Sequence, residues 1–183
     1  MTIYLIRHGA TAANEQHRYC GSTDLSLSDR GREALIRGSI IPPPGARYLS
    51  SGMRRCSETL ALLFGPVPYE ECPGFREIDF GAFEMKTYEE LKDDPAYQAW
   101  LSGDNEANPT PGGESGNQMT TRAMAAFREI ESAGQNAVIV THGGVIAAIM
   151  ASLFHGEEKN RYQWQPRPGE GYAITDTGYA MLP

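Results

Sequence analysis

Two apolar segments at opposite ends of the chain each run into a His-Gly pair. One is Ile3-Tyr4-Leu5-Ile6-Arg7-His8-Gly9, and the other is Ala137-Val138-Ile139-Val140-Thr141-His142-Gly143-Gly144. Neither has a helical period, and short unbroken apolar runs suit strands buried on both faces, as in a parallel sheet. At Arg7-His8-Gly9 a cation, an imidazole and a residue without a side chain sit where the first strand ends. In open α/β sheets that edge is where ligands bind. A single His-Gly after a strand is usually a turn. Two in matched context, one preceded by Arg, describe a site built from both ends of the sequence.

Composition narrows what such a site serves. A chain of 183 residues, 40% hydrophobic and 21% charged, is ordinary for one globular domain with a substantial core. The net charge of -7 comes with no Lys/Arg cluster, which argues against a nucleic-acid partner. No apolar run approaches the roughly 20 residues of a membrane span, and no basic segment precedes an apolar stretch at the start. A cytoplasmic protein is expected. Cys20, Cys56 and Cys72 are odd in number and in no metal-like spacing, and the histidines at 8, 17, 142 and 155 supply no ligand pair at helical spacing. With no P-loop or dinucleotide fingerprint either, neither metal nor cofactor is expected. The oligomeric state is left open.

Between the two His-Gly strands, Ser28 caps a predicted helix that runs to about Gly38 and is broken by Pro42-Pro43-Pro44. Ala46–Ser50 reads as a strand, Met53–Phe64 as a helix ended by Gly65-Pro66, and Val67–Glu71 as a further strand. Residues of about 84 to 113 read as a lid-like insertion, with short helical pieces on either side of Pro95 and a polar, Pro/Gly-rich link. Ser115 and Gln118 form a capping-box pattern before a helix with Met119, Ala123, Phe127 and Ile130 on one face. An apolar helix follows from Val145 to about Phe154, with His155 at its end, and 172–182 read as two edge strands around a Thr-Gly turn.

Arg7-His8-Gly9, with Thr11 and Asn14 in step, resembles the signature of the histidine phosphatase superfamily, also called phosphoglycerate mutase-like proteins. Ser50-Ser51-Gly52-Met53-Arg54-Arg55-Cys56-Ser57-Glu58-Thr59 resembles the family's Ser-Ser-x-Leu-x-Arg-Ala-x-x-Thr segment, whose register favours Arg55 over Arg54. Glu77, four residues before Gly81, falls on the family's acid, with Asp79 and Glu84 as nearby competitors. Arg18, Gly21 and Asp24 match a substrate-side loop. In it, Cys20 and Gly21 fall on positions that touch substrate in phosphoglycerate mutases, although Cys20 reads equally well as a plain loop residue. Where the family usually has Trp-Glu-Gly, this chain has Phe83-Glu84-Met85. A Met in that slot also occurs in α-ribazole phosphatases, which the Trp100-to-Glu114 region resembles too.

The resemblance implies a three-layer α/β fold, with a largely parallel central sheet and helices on both faces. It implies His8 as a nucleophile that forms a phosphohistidine, and Glu77 as the general acid and base. Arg7, Asn14, Arg55, His142 and the N–H of Gly143 would hold the phosphate. Tyr88 and Trp100 are candidates for the leaving-group side, with packing onto the core as the alternative, and Arg122 reads as structural. The chemistry is coherent: phosphoryl transfer needs positioning and charge stabilisation, which two guanidiniums supply without a metal. The expected activity is a metal-independent phosphomonoesterase acting on a small intracellular phosphate ester and inhibited by oxyanions such as vanadate. The best specific substrate is α-ribazole 5'-phosphate. The alternatives are a phosphoglycerate mutase, a broad-specificity metabolite phosphatase and a non-catalytic phosphate-ligand binder.

Overall fold

In a computed structural model describing residues 1–36 and 40–183, the chain begins with β1 (Thr2–Arg7), α1 (Ala12–Glu15) and α2 (Asp29–Ile36). It continues through β2 (Arg47–Ser50), α3 (Arg54–Phe64), β3 (Glu70–Glu71), α4 (Tyr88–Leu91), α5 (Pro95–Ser102) and α6 (Gly116–Ser132). It ends with β4 (Ala137–Thr141), α7 (Gly143–Leu153), β5 (Gly171–Thr175) and β6 (Gly178–Leu182). The strands form one sheet in the order β3-β2-β4-β1-β5-β6. β3, β2, β4 and β1 run parallel, whereas β5 and β6 add an antiparallel edge.

The central strands β1 and β4 are largely apolar because both faces of the sheet are covered there. On one face Ile3, Leu5, Leu49, Ala137 and Ile139 pack with Met119, Ala123 and Phe127 of α6 and Val145 to Met150 of α7. On the other, Ile6, Val138 and Val140 meet Cys56 and Leu60 of α3. Side chains alternate between faces at each residue. A one-residue slip of β1 against β4 would exchange its two buried sets, so the register is tightly specified. That register pairs Arg7 with Thr141 and thereby brings the two His-Gly pairs to the same sheet edge.

Local signals account for several boundaries. Ser28 Oγ accepts from the Gly31 amide at the start of α2, and Ser115 and Gln118 make both bonds of their capping box at α6. The expected end of α2 near Gly38 lies outside the described residues. The strand expected over 67–71 is reduced to Glu70–Glu71, because Val67 turns its N–H back onto the Gly65 carbonyl and Pro68 has no N–H for a ladder. α1, closed by a Thr11–Asn14 capping box, was not foreseen. Within the segment expected as an insertion, α4 and α5 pack around a separate small cluster. Phe83, Leu91 and Tyr97 are buried in it, with Tyr19, Phe80 and Trp100 against them. Among the described residues no helix is long and apolar enough to cross a membrane.

Candidate active site

His8 leaves β1 with its amide bonded to the Thr141 carbonyl at 2.9 Å, and its ring lies 5.1 Å from that of His142, centroid to centroid. Its Nδ1 is 2.7 Å from the Gly9 carbonyl oxygen. A carbonyl only accepts, so Nδ1 carries the hydrogen and Nε2 keeps its lone pair. Gly9 is held in turn: its amide donates to Thr59 Oγ1 at 2.9 Å, and that hydroxyl donates to the Arg55 carbonyl. The imidazole is only 5% exposed. Burial, reinforced by the charges of Arg55 and Arg7, holds its pKa well below the usual value, against an opposing pull from the Gly9 carbonyl. His8 is therefore neutral and single-tautomer, the state a nucleophilic imidazole needs.

Arg55 is fully buried in the first turn of α3. Its Nη1 donates to the Thr23 carbonyl and its Nη2 to the Gly21 carbonyl, each at 2.8 Å, and its Nε donates to His142 Nδ1 at 3.3 Å. Three of its five N–H donors are so engaged, which leaves two. With Nδ1 accepting, His142 donates from Nε2 to Ser51 Oγ at 2.9 Å. Both of its ring nitrogens are thus committed within the protein, so as placed His142 orients Arg55 and offers no free donor to a phosphate. Burial and then the Arg55 charge keep this imidazole's pKa well below its usual value as well.

Arg7 is the less committed cation. Its Nη1 donates to the Pro166 carbonyl at 2.8 Å, but its buried Nε has no partner. Leaving such a donor unsatisfied costs about 1–3 kcal/mol, which marks it as reserved for something outside the chain. Gly143 lies against it: a Cβ there would be 2.9 Å from the Arg7 Cζ. Gly143 also opens α7, whose N-cap residue His142 makes no side-chain cap, and Glu77 takes the next amide, that of Gly144, which leaves the Gly143 amide on the Arg7 side. Asn14 accepts from the Thr11 amide and hydroxyl through Oδ1, so its available donors are those of Nδ2.

The three carboxylates separate cleanly. Glu84 accepts from the amides of Gly21, Ser22, Thr23 and Phe80 and from the Thr23 hydroxyl, so it is consumed in shaping the 21–23 loop. Asp79 accepts from Ser22 Oγ and the Gly81 amide. Glu77 accepts only single backbone bonds, from Ile78 at Oε1 and from Gly144 at Oε2, both at 3.0 Å. It alone of the three touches the opening of α7. Arg122 braces this segment: it pairs with Glu114 at 2.7 Å and donates to the carbonyls of Gly74, Arg76 and Glu77.

Residues 3–178 match the model of the histidine phosphatase superfamily (branch 1). The chain belongs to that superfamily. An adenosylcobalamin/alpha-ribazole phosphatase of Salmonella typhimurium is 32% identical over 162 residues, covering 84% of this chain and 79% of the relative. The crystal structure of the alpha-ribazole phosphatase from Shigella flexneri aligns with a TM-score of 0.84 at 25% identity, over 100% of this chain and 95% of that one. A crystal structure described as a phosphoglycerate mutase from Thermus thermophilus gives 0.76 at 32% identity, over 100% and 99%. The protein is a phosphatase of the histidine phosphatase type.

Around the histidine phosphatase centre, Glu77 borders two cavities. One, of about 640 Å³, is lined by Arg76, Asp79, Glu114 and Arg122 among others. The second, of about 170 Å³, is lined by Tyr19, Phe80, Trp100, Tyr162 and Gln165, together with Gly144. Gln165 ties this crevice to the cationic end, since its Nε2 would lie 2.5 Å from a Cβ on Gly143, the glycine packed against Arg7. Trp100 thus shares a cavity with Glu77. Tyr88 does not: it is 54% exposed and lines neither cavity, its ring edge resting on Tyr97. Gly21 serves the scaffold, because a Cβ there would meet the Ile78 carbonyl at 1.7 Å. Burial raises the Cys20 thiol, which contacts the Thr23 carbonyl. Ser51, Thr59 and Gln165 were not singled out from the sequence. Ser51 and Thr59 lay inside the family segment around Arg55, whereas Gln165 carries no local signal. Among the described residues, no group of three or more His, Cys, Asp or Glu is placed to hold a metal.

Proposed function

We propose that the protein is a cytoplasmic, metal-independent phosphomonoesterase working through a phosphohistidine on a small phosphate ester, with α-ribazole 5'-phosphate the favoured substrate. The observation that carries this is the His8 ring, locked at Nδ1 by Gly9 and free at Nε2, next in the chain to Arg7, whose buried Nε has no partner. His8 Nε2 attacks phosphorus while the bond to the leaving oxygen breaks, and Glu77 gives that oxygen a proton. Water then attacks the phosphohistidine, Glu77 recovers a proton from it, and phosphate leaves with His8 neutral again. Arg7, the free donors of Arg55, Asn14 Nδ2 and the Gly143 amide neutralise the transferring group.

The α-ribazole assignment is supported by the names of the relatives above and by the aromatic wall of the smaller cavity. A mutase has to keep water from its phosphoenzyme. The 640 Å³ space bordered by Glu77 has room for waters within reach of that carboxylate, which favours hydrolysis. The test is acid-labile labelling by a radiolabelled phosphate ester, followed by a substrate panel that includes α-ribazole 5'-phosphate and 3-phosphoglycerate. Labelling and turnover are expected to vanish in His8→Ala, a loss of roughly 10⁴-fold or more. Vanadate should inhibit and chelators should not. An active His8→Ala protein, or EDTA inactivation reversed by a divalent ion, would overturn the proposal.

A further inference from the structure

The 170 Å³ crevice holds a single cation, Arg161, and that cation is already paired with Glu106. The pair is deliberately seated. The Glu106 carbonyl accepts from the Asn117 amide at 2.8 Å, and its carboxylate closes over Gly116, where a Cβ would come within 2.0 Å of Oε2. Arg161 is delivered from the opposite side by the 3-10 turn Arg161–Trp164, which is capped by Asn160. Beyond that pair the lining is aromatic rings, amides, small residues and Ile78, apart from Glu77 itself. Trp100 belongs to it, and its buried Nε1 is, with Arg7 Nε, one of two such side-chain atoms without a partner among the described residues. A cavity of about 150 Å³ accommodates a benzene ring.

We propose that the Glu106–Arg161 pair is a specificity determinant: by neutralising the one cation of the crevice, it selects a leaving group that carries an uncharged ring and rejects one bearing a carboxylate. This rests on the proposed phosphatase chemistry at His8 and goes beyond it, because it says which esters of that class are refused and by which residues. With Arg161 engaged, an incoming carboxylate must leave water for a crevice that has no free cation to receive it, which is discrimination by unrequited desolvation.

The probes are phenyl phosphate and 4-carboxyphenyl phosphate, which differ only in the carboxylate. The native protein is expected to prefer phenyl phosphate by at least tenfold in kcat/KM. Glu106→Gln frees Arg161 and should shrink that preference about tenfold through the KM of the carboxylate ester. Adding Arg161→Met should restore the preference. The pair is 25% and 46% exposed at its two side chains, so its loss leaves the core intact. A folding defect would lower both esters together and leave their ratio unmoved. An unchanged ratio in Glu106→Gln with His8 labelling intact overturns the specificity role alone. Absence of labelling and turnover in the native protein overturns the His8 chemistry and this inference with it.

Discussion

At the sheet edge, His8 and His142 are placed by a parallel ladder whose register pairs Arg7 with Thr141, and each ring is pinned by buried hydrogen bonds. Across Glu77, the aromatic crevice is walled by residues from loops, α5 and the 161–164 turn, around a small cluster apart from the main core. The first region is built from backbone pairing and cannot shift without exchanging buried faces. The second is held by side-chain contacts and by a partly exposed ion pair. On the proposed function, chemistry common to many esters belongs to the rigid half, and choice among esters to the half whose residues can change without disturbing the sheet.

Glu77 stands between the halves, and its removal gives the largest effect that separates them. Glu77→Gln is expected to slow phosphoenzyme formation from an alkyl ester by roughly 10²–10⁴-fold. It should barely affect p-nitrophenyl phosphate, whose phenolate leaves unaided. Equal single-turnover losses on both esters would remove Glu77 as the acid. Asp79 and Glu84 would follow as candidates, although both are occupied by loop hydrogen bonds.

Arg55→Ala tests the rigid half and should not discriminate between esters, because the guanidinium acts on the phosphoryl group. A loss of about 10²–10³ on both is expected. The same substitution strips the Gly21 and Thr23 carbonyls and His142 Nδ1 of their donor, so a lower Tm should accompany it. An unchanged Tm would show that the 21–23 loop is held by Glu84 alone.

The smallest effect concerns pH. His8 and His142 are buried with pKa values depressed below the ordinary value, near 6.5. The unfolded chain therefore binds protons that the folded one refuses as pH falls below about 6.5. Stability should be level above that pH and decline beneath it, by at most about 1.4 kcal/mol per pH unit for each imidazole. Urea midpoints at pH 7.5 and 5.5 should converge in His142→Asn relative to the native protein. Added phosphate should also narrow the gap, since an anion offsets the guanidinium charges. A native protein equally stable at both pH values would contradict the buried neutral state of the two rings.

Much of the rigid half was legible from residues alone. The two apolar strands ending in His-Gly, the Ser115–Gln118 capping box and the choice of Arg55 depend on local pattern or on a short motif, and those signals survive in one dimension. β3 is shorter than the pattern suggests because Val67 bonds back to the Gly65 carbonyl, a turn that only the folded backbone shows. The crevice was hidden for a different reason. Glu106 and Arg161 are 55 positions apart, and Gln165 meets Gly143 only after α7 has turned back over the sheet. His142 likewise reads as a phosphate ligand in sequence, yet its nitrogens are taken by Arg55 and Ser51, 87 and 91 residues away. Sequence by itself determined which strands carry the reactive groups, because strand pairing and burial follow from alternation and apolar content. Tertiary structure decided which carboxylate stays free and which cation is already neutralised, because hydrogen-bond donors and charges are allotted only once distant segments meet.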